Sequence, residues 1–146
     1  MKVEFRGGKE LEARLKALGN KALAKRVAER ALKRAAEPIR DKARELAPKD
    51  ERNLEQSISI GRAIRAFQRT SAGDIVRTFV GIDESKDARL HIYASIDEFG
   101  TDQHPAQPYM RPAWEAEKMN SFNLIRVTLD QEITQAAARQ ARKATR

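Results

Sequence analysis

No cysteine occurs in the 146 residues, which excludes disulfides, thiol catalysis and cysteine-ligated zinc and suits synthesis in a reducing cytoplasm. Long apolar runs are missing too. No stretch approaches the roughly 18 consecutive apolar residues of a membrane span, and residues 1–6 carry no apolar run of the kind a secretory signal needs. The expected product is cytosolic when made and has no membrane partner. Aromatic residues are scarce, at 5%, while 40% of residues are hydrophobic and 34% charged. That balance is more polar than an ordinary globular domain. The length fits one domain spanning residues 1–146. So few large side chains bury limited apolar surface alone, and a homo-oligomer would supply the missing burial.

Catalytic constellations are equally thin. Gly7-Gly8 lacks the Lys-Ser/Thr that would make a phosphate loop, and no serine sits in a Gly-x-Ser-x-Gly elbow. Asp97 and Glu98 are adjacent in sequence, whereas acid–base work needs side chains converging across a cleft. The two histidines, His91 and His104, show no metal-ligand spacing to a carboxylate pair. The expectation is a protein with no enzymatic activity, no metal and no cofactor.

What the sequence does have is positive charge: formal net charge is +8, with a pI near 10.0. Between residues 21 and 44, Lys21, Lys25, Arg26, Arg30, Lys33, Arg34, Arg40, Lys42 and Arg44 stand against only Glu29, Glu37 and Asp41. One reading is a solvated helix face with internal pairs such as Glu29–Lys33. The other is a face turned to an acidic partner or to DNA, with Lys25, Arg26, Arg30, Lys33 and Arg34 as candidates. Arg139, Arg142, Lys143 and Arg146 pose the same question. Aromatic residues are not interleaved with these charges, which argues against base stacking. A small basic nucleic-acid-binding protein acting alone is the alternative function.

Residues 2–6 alternate as a short strand, broken by Gly7-Gly8. A first helix carries Leu11, Leu15 and Leu18 on one face. Gly19 suits its C-terminal cap and Asn20 the start of the next helix. That helix runs over residues 21–46 with a stripe of Leu23, Val27, Ala31, Leu32, Ala35, Ile39 and Leu46. Pro38 should kink or divide it, and Ala47-Pro48 ends it. Asn53 is placed to cap one turn over residues 54–56. Alternation from Ser57 towards Phe67 predicts a strand, residues 70–74 a turn, and residues 75–82 the strongest strand, which together make an antiparallel hairpin. Residues 89–96 fit a strand, or a strand leading into a helical turn. Residues 102–112 hold three prolines and no periodicity, so a loop is expected there. A last helix starts near Arg111-Pro112, with Trp114, Phe122, Ile125, Leu129, Ile133 and Ala136 as its stripe. Its basic, alanine-rich end is placed to fray. The expected fold is α+β, a small antiparallel sheet packed against long helices.

Three segments carry a resemblance. Ala47-Pro48 followed by Asp50, Asn53-Leu54 and Ser57-Ile58, then Glu98-Phe99-Gly100-Thr101, then Pro105-Ala106-Gln107-Pro108-Tyr109-Met110-Arg111-Pro112-Ala113, occur in an order and spacing that closely resemble the tail-component family typified by phage Hong Kong 97. The resemblance spans roughly residues 20–125; the ends match nothing in the pattern. Where the family commonly has Thr-Gly before the asparagine, Glu51 and Arg52 stand here, so that loop should differ. The resemblance implies a structural protein of the virion: a neck or tail-completion subunit assembled as a hexameric or dodecameric ring. Its neighbours would be the head-completion proteins and the tail terminator or tail tube, around the path of the genome. The interface residues it implies are Glu98, Phe99, Gly100, Thr101, Pro105, Gln107, Pro108, Tyr109, Arg111 and Pro112. Read as chemistry, Phe99 can plug an apolar site, the prolines stiffen the loop, and Arg111 can pair Glu98 across it. A loop packed on its own domain fits these residues equally well.

Overall fold

The computed structural model describes residues 8–49, 54–61, 76–85 and 87–145. Along the chain lie α1 (Gly8–Ala17), α2 (Lys21–Leu46), α3 (Leu54–Ser57), β1 (Ile58–Ile60), β2 (Val80–Ile82), α4 (Leu90–Phe99) and α5 (Met110–Ala144). The class is α+β, mostly helical with one two-stranded antiparallel sheet.

Helix α2 begins and ends at the expected caps. Asn20 has extended backbone and its side chain accepts the N–H of Leu23 at 3.1 Å, satisfying one donor that the first turn leaves without a partner. At the other end Ala47 turns to extended backbone before Pro48. Pro38 does not divide the helix, which is continuous from Lys21 to Leu46. Ala35, Ala36, Ile39 and Ala43 are buried on both sides of the proline, and this packing holds the rod together where one backbone donor is missing.

Helices α2 and α5 run antiparallel and form the backbone of the molecule. At one end Val27 of α2 meets Ile133 and Ala136 of α5, joined by Leu11 and Leu18 of the α1 segment. At the other, Ala43 and Ala47 meet Tyr109 and Ala113, with Leu54, Ile58 and Ala94 completing the cluster. Four of the six buried residues on α2 are alanine. The seam between the helices is therefore made of small side chains, and there is little slack for added volume.

The sheet is small. Ile58 pairs with Ile82, Ser59 with Gly81 and Ile60 with Val80. The Arg44 guanidinium donates from Nε and Nη2 to the carbonyl of Ile58, at 3.0 and 2.7 Å, which ties β1 to α2. The strand expected over residues 75–82 is regular only at Val80–Ile82, and Ser57 belongs to α3. The expected strand at residues 2–6, the Asn53 cap, the altered loop at Glu51-Arg52, the continuation towards Phe67 and the turn at 70–74 fall outside the described residues.

One element overturns its expectation. Residues 89–96, read as a strand or a strand entering a turn, form the N-cap Arg89 and the body of helix α4 from Leu90, and His91 is helical. Leu90, Ile92 and Ile96 mimic two-residue alternation, but the buried positions are Leu90, Ala94 and Glu98, four residues apart, with Ile92 half exposed. The third buried position is a glutamate, so a search for apolar periodicity misses it.

Ala43 is fully buried against α5, and Ala43→Leu forces extra methylenes into the tightest part of the seam. The expected loss is about 1–3 kcal/mol of stability, read from the midpoint of urea unfolding followed by circular dichroism.

Candidate functional site

Helix α5 opens on Tyr109, whose own side chain makes no capping bond. The cap comes from another helix. Glu98, at the end of α4, turns its carboxylate under the first turn of α5. Its Oε2 accepts the N–H groups of Tyr109 and Met110 at 2.8 and 2.9 Å, and its Oε1 accepts the N–H of Arg111 at 3.1 Å. Pro112 has no N–H to satisfy, and Ala113 already donates to the carbonyl of Tyr109 at 3.1 Å. Every backbone donor of the first turn is thus accounted for. The negative charge also faces the positive end of the helix dipole.

The contact is reciprocal. The Arg111 guanidinium donates from Nε to Glu98 Oε1 at 2.9 Å and from Nη2 to the Glu98 carbonyl at 2.7 Å. The N–H of Gln107 donates to the carbonyl of Asp97 at 2.7 Å, and that of Gly100 to the carbonyl of Ile96 at 2.7 Å. The orphan carbonyls at the end of α4 are filled by the chain that starts α5. The pairing of Glu98 with Arg111 expected across the loop is present.

Glu98 is only 5% exposed. Burial pushes its carboxyl upward. The N–H groups of Tyr109 and Met110, the Arg111 guanidinium and the Arg111 N–H outweigh that, and hold it below the ordinary glutamate value of 4.5. Tyr109 is 1% exposed and sits in the core cluster. Burial first, then the charges of Glu98 and Asp97, push its phenol above the ordinary tyrosine value of 10.0. The tyrosine and the glutamate are therefore inner supports of this segment, with no side-chain surface to offer a neighbour.

The outer part of the site is different. Residues 101–108 are all exposed, including Thr101, Pro105, Gln107 and Pro108. The loop is nonetheless braced. Thr101 and His104 exchange backbone bonds of 2.8 and 3.3 Å, and the Thr101 hydroxyl accepts the N–H of His104 at 3.1 Å. Gly100 has φ 74° and ψ 176°, a region open essentially to glycine alone. A Cβ there would stand 2.9 Å from the Ala106 nitrogen and 3.0 Å from the His104 carbonyl oxygen. Phe99 is 68% exposed, with the Arg111 guanidinium carbon 5.1 Å from its ring centroid. Pro112 is exposed on the first turn of α5. The loop is thus an exposed wedge tied at its base to its own domain through the Gln107–Asp97 bond.

The family model described as "Bacteriophage HK97-gp10, putative tail-component" matches residues 9–100. The chain belongs to this family. Membership makes it a bacteriophage tail component. The match begins in α1, which the sequence resemblance left unassigned, and ends on Gly100 at the foot of the wedge, so residues 105–113 lie beyond it. No curated protein and no solved structure matches the chain.

The second candidate group is the basic one. Lys25, Arg26, Arg30, Lys33 and Arg34 are exposed on α2, and Arg139, Arg142 and Lys143 on α5, while Arg146 lies outside the described residues. The antiparallel packing brings the start of α2 and the end of α5 to the same end of this tail component, opposite the wedge. Among the described residues no group of three or more histidines or carboxylates could hold a metal, and no helix is long and apolar enough to cross a membrane.

Two substitutions test the lock. Glu98→Gln keeps the shape but aims an amide at backbone donors and removes the buried charge that they serve, so a loss of about 1–3 kcal/mol is expected. Because the folded carboxyl lies below 4.5, its contribution is present above that pH and disappears as pH falls through the folded value. Wild-type stability should fall through this acid range more steeply than that of the glutamine variant. Parallel slopes would refute the assignment. Gly100→Ala should cost about 1–3 kcal/mol, measured by the same unfolding titration.

Proposed function

We propose that this tail component is a structural, non-catalytic subunit of the neck that joins head to tail, and that it assembles as a closed ring. The observation that carries the reading is the wedge: an exposed aromatic and an exposed, proline-stiffened loop on a base locked by the buried carboxylate of Glu98. A loop already ordered loses little entropy on docking. An exposed Phe beside an exposed Arg supplies the aromatic and cationic pair that often dominates interface energy. A single patch meeting a different patch on the next copy is a heterologous contact, the kind that closes into rings. The proposed contact residues are Phe99, Thr101, Pro105, Gln107, Pro108, Arg111 and Pro112, with Glu98, Gly100 and Tyr109 holding them in place. The proposed neighbours are further copies of the chain, the head-completion proteins, and the tail terminator or tail tube.

The test is the solution mass by light scattering over a wide concentration range, for the wild type and Phe99→Ala. The wild type should reach a ring-sized mass. The variant should need at least about ten-fold more protein to do so, equivalent to about 1.4 kcal/mol, while its unfolding midpoint barely moves because the side chain is exposed. A wild-type chain that stays monomeric throughout, and also fails to add to isolated heads or tails, would sink the ring. Equal association by both proteins would remove Phe99 from the interface.

A further inference from the structure

Two basic segments more than 100 residues apart in sequence follow one another along the half of the molecule away from the wedge, the later one level with the start of α2. Between positions 25 and 34 five cations stand against one carboxylate, Glu29, and between positions 136 and 145 three cations stand against none. Their arrangement follows from helix geometry. Glu132 of α5 reaches across to Arg30 of α2 at 2.7 Å. Arg139 and Lys143 follow Glu132 at i+7 and i+11, on the same side of α5. They therefore continue the row that flanks α2, at the level of its first turns.

These charges are not spent within the fold. Arg30 alone has a carboxylate partner, and Lys25, Arg26, Lys33, Arg34, Arg139, Arg142 and Lys143 make no ion pair among the described residues. The intrahelical pair Glu29–Lys33 that would make this an ordinary solvated face is not formed. Arg26, Arg30 and Arg34 succeed one another at i+4, a spacing at which like charges repel. Among the described residues folding offsets this only at Arg30, through Glu132, and a polyanion would relieve the rest.

The surroundings narrow the polyanion. α1, α2 and α5 beyond residue 122 hold no aromatic residue, so there is no platform for stacking unpaired bases. The exposed large apolar side chains Leu46, Ile92, Phe99, Trp114 and Met119 lie towards the wedge end, leaving Val127 as the one nearer the basic end. A protein partner would normally want a buried apolar or aromatic anchor within the patch. Among the described residues the surface is cationic and free of aromatic side chains, which matches the phosphate backbone of a duplex, since that needs charge and no base contacts. We infer that this face binds the phosphate backbone of duplex DNA without regard to sequence. The binding is a property of each subunit and does not depend on ring formation.

The test uses the full-length protein and a short mixed-sequence duplex carrying a fluorophore, with anisotropy read across a salt series. Engaging about six phosphates predicts a slope of about −5 in log affinity against log salt, a loss of about a thousand-fold from 50 to 200 mM. The double variant Arg26→Gln with Arg139→Gln should lower the magnitude of the slope by about two. The control Lys42→Gln with Arg89→Gln removes equal charge near the wedge end and should leave the slope unchanged. Circular dichroism and solution mass confirm that each variant folds and associates as the wild type does. Three results would overturn the inference: no binding at 50 mM salt, equal loss in the control, or competition by polyglutamate as strong as by unlabelled duplex at matched charge. The last would assign the face to an acidic protein instead.

Discussion

The carboxylate of Glu98 serves three consecutive backbone donors and one guanidinium, and it does so from the end of one helix to the beginning of another. Much of the wedge end of the protein depends on that arrangement. It fixes where α5 begins, because the first turn has its donors met only if Tyr109, Met110 and Arg111 lie over this side chain. It fixes the path of the intervening loop, whose ends are held a short distance apart by bonds to Asp97 and Ile96. It also draws Tyr109 into the core beside Ala43, Ala113 and Leu54. A buried carboxylate is costly unless its charge is matched, and here helix dipole, backbone donors and arginine match it together.

The remaining architecture suits a protein short of bulky residues. Alanine forms most of the buried α2 face, and buried apolar clusters lie at the two ends of the helix pair. One end carries the wedge and the other carries the uncompensated cations. The long helices thus separate two surfaces of different character: one a stiffened loop with an exposed aromatic, the other charged and, among the described residues, without aromatic side chains.

Much of this is legible in the residues alone. The boundaries of α2 follow from Asn20 and Ala47-Pro48, because capping and the restriction before proline act locally. The antiparallel hairpin follows from alternation in Ile58 to Ile60 and Val80 to Ile82. The Glu98–Arg111 pair is readable from motif residues flanking one loop. Other features are hidden for identifiable reasons. Helix α4 is masked because its third inward position is Glu98, a charged residue whose burial makes sense only once the start of α5 is beside it. The inward role of Tyr109 is masked for the same reason, since an aromatic in a proline-rich run looks like surface. Pro38 suggests a break that packing along the alanine seam overrides. That the start of α2 and the end of α5 come to the same end of the molecule is a tertiary fact, set by the antiparallel direction of two helices and invisible to any local window.

Helix α5 is a single rod of 35 residues, about 52 Å long, clamped at its first turn. Such a rod is a lever. A tilt of about 5° at Met110 sweeps its far end through roughly 4–5 Å, more than half the spacing between successive phosphates on one strand of an extended backbone. Because α5 packs on α2 at both ends, the geometry imposed at Glu98 reaches Arg139 and Lys143 as the helix pair tilts together. A small strain transmitted through the wedge when neighbouring subunits engage would register, at the opposite end of each subunit, as a shift in the position of its positive charge.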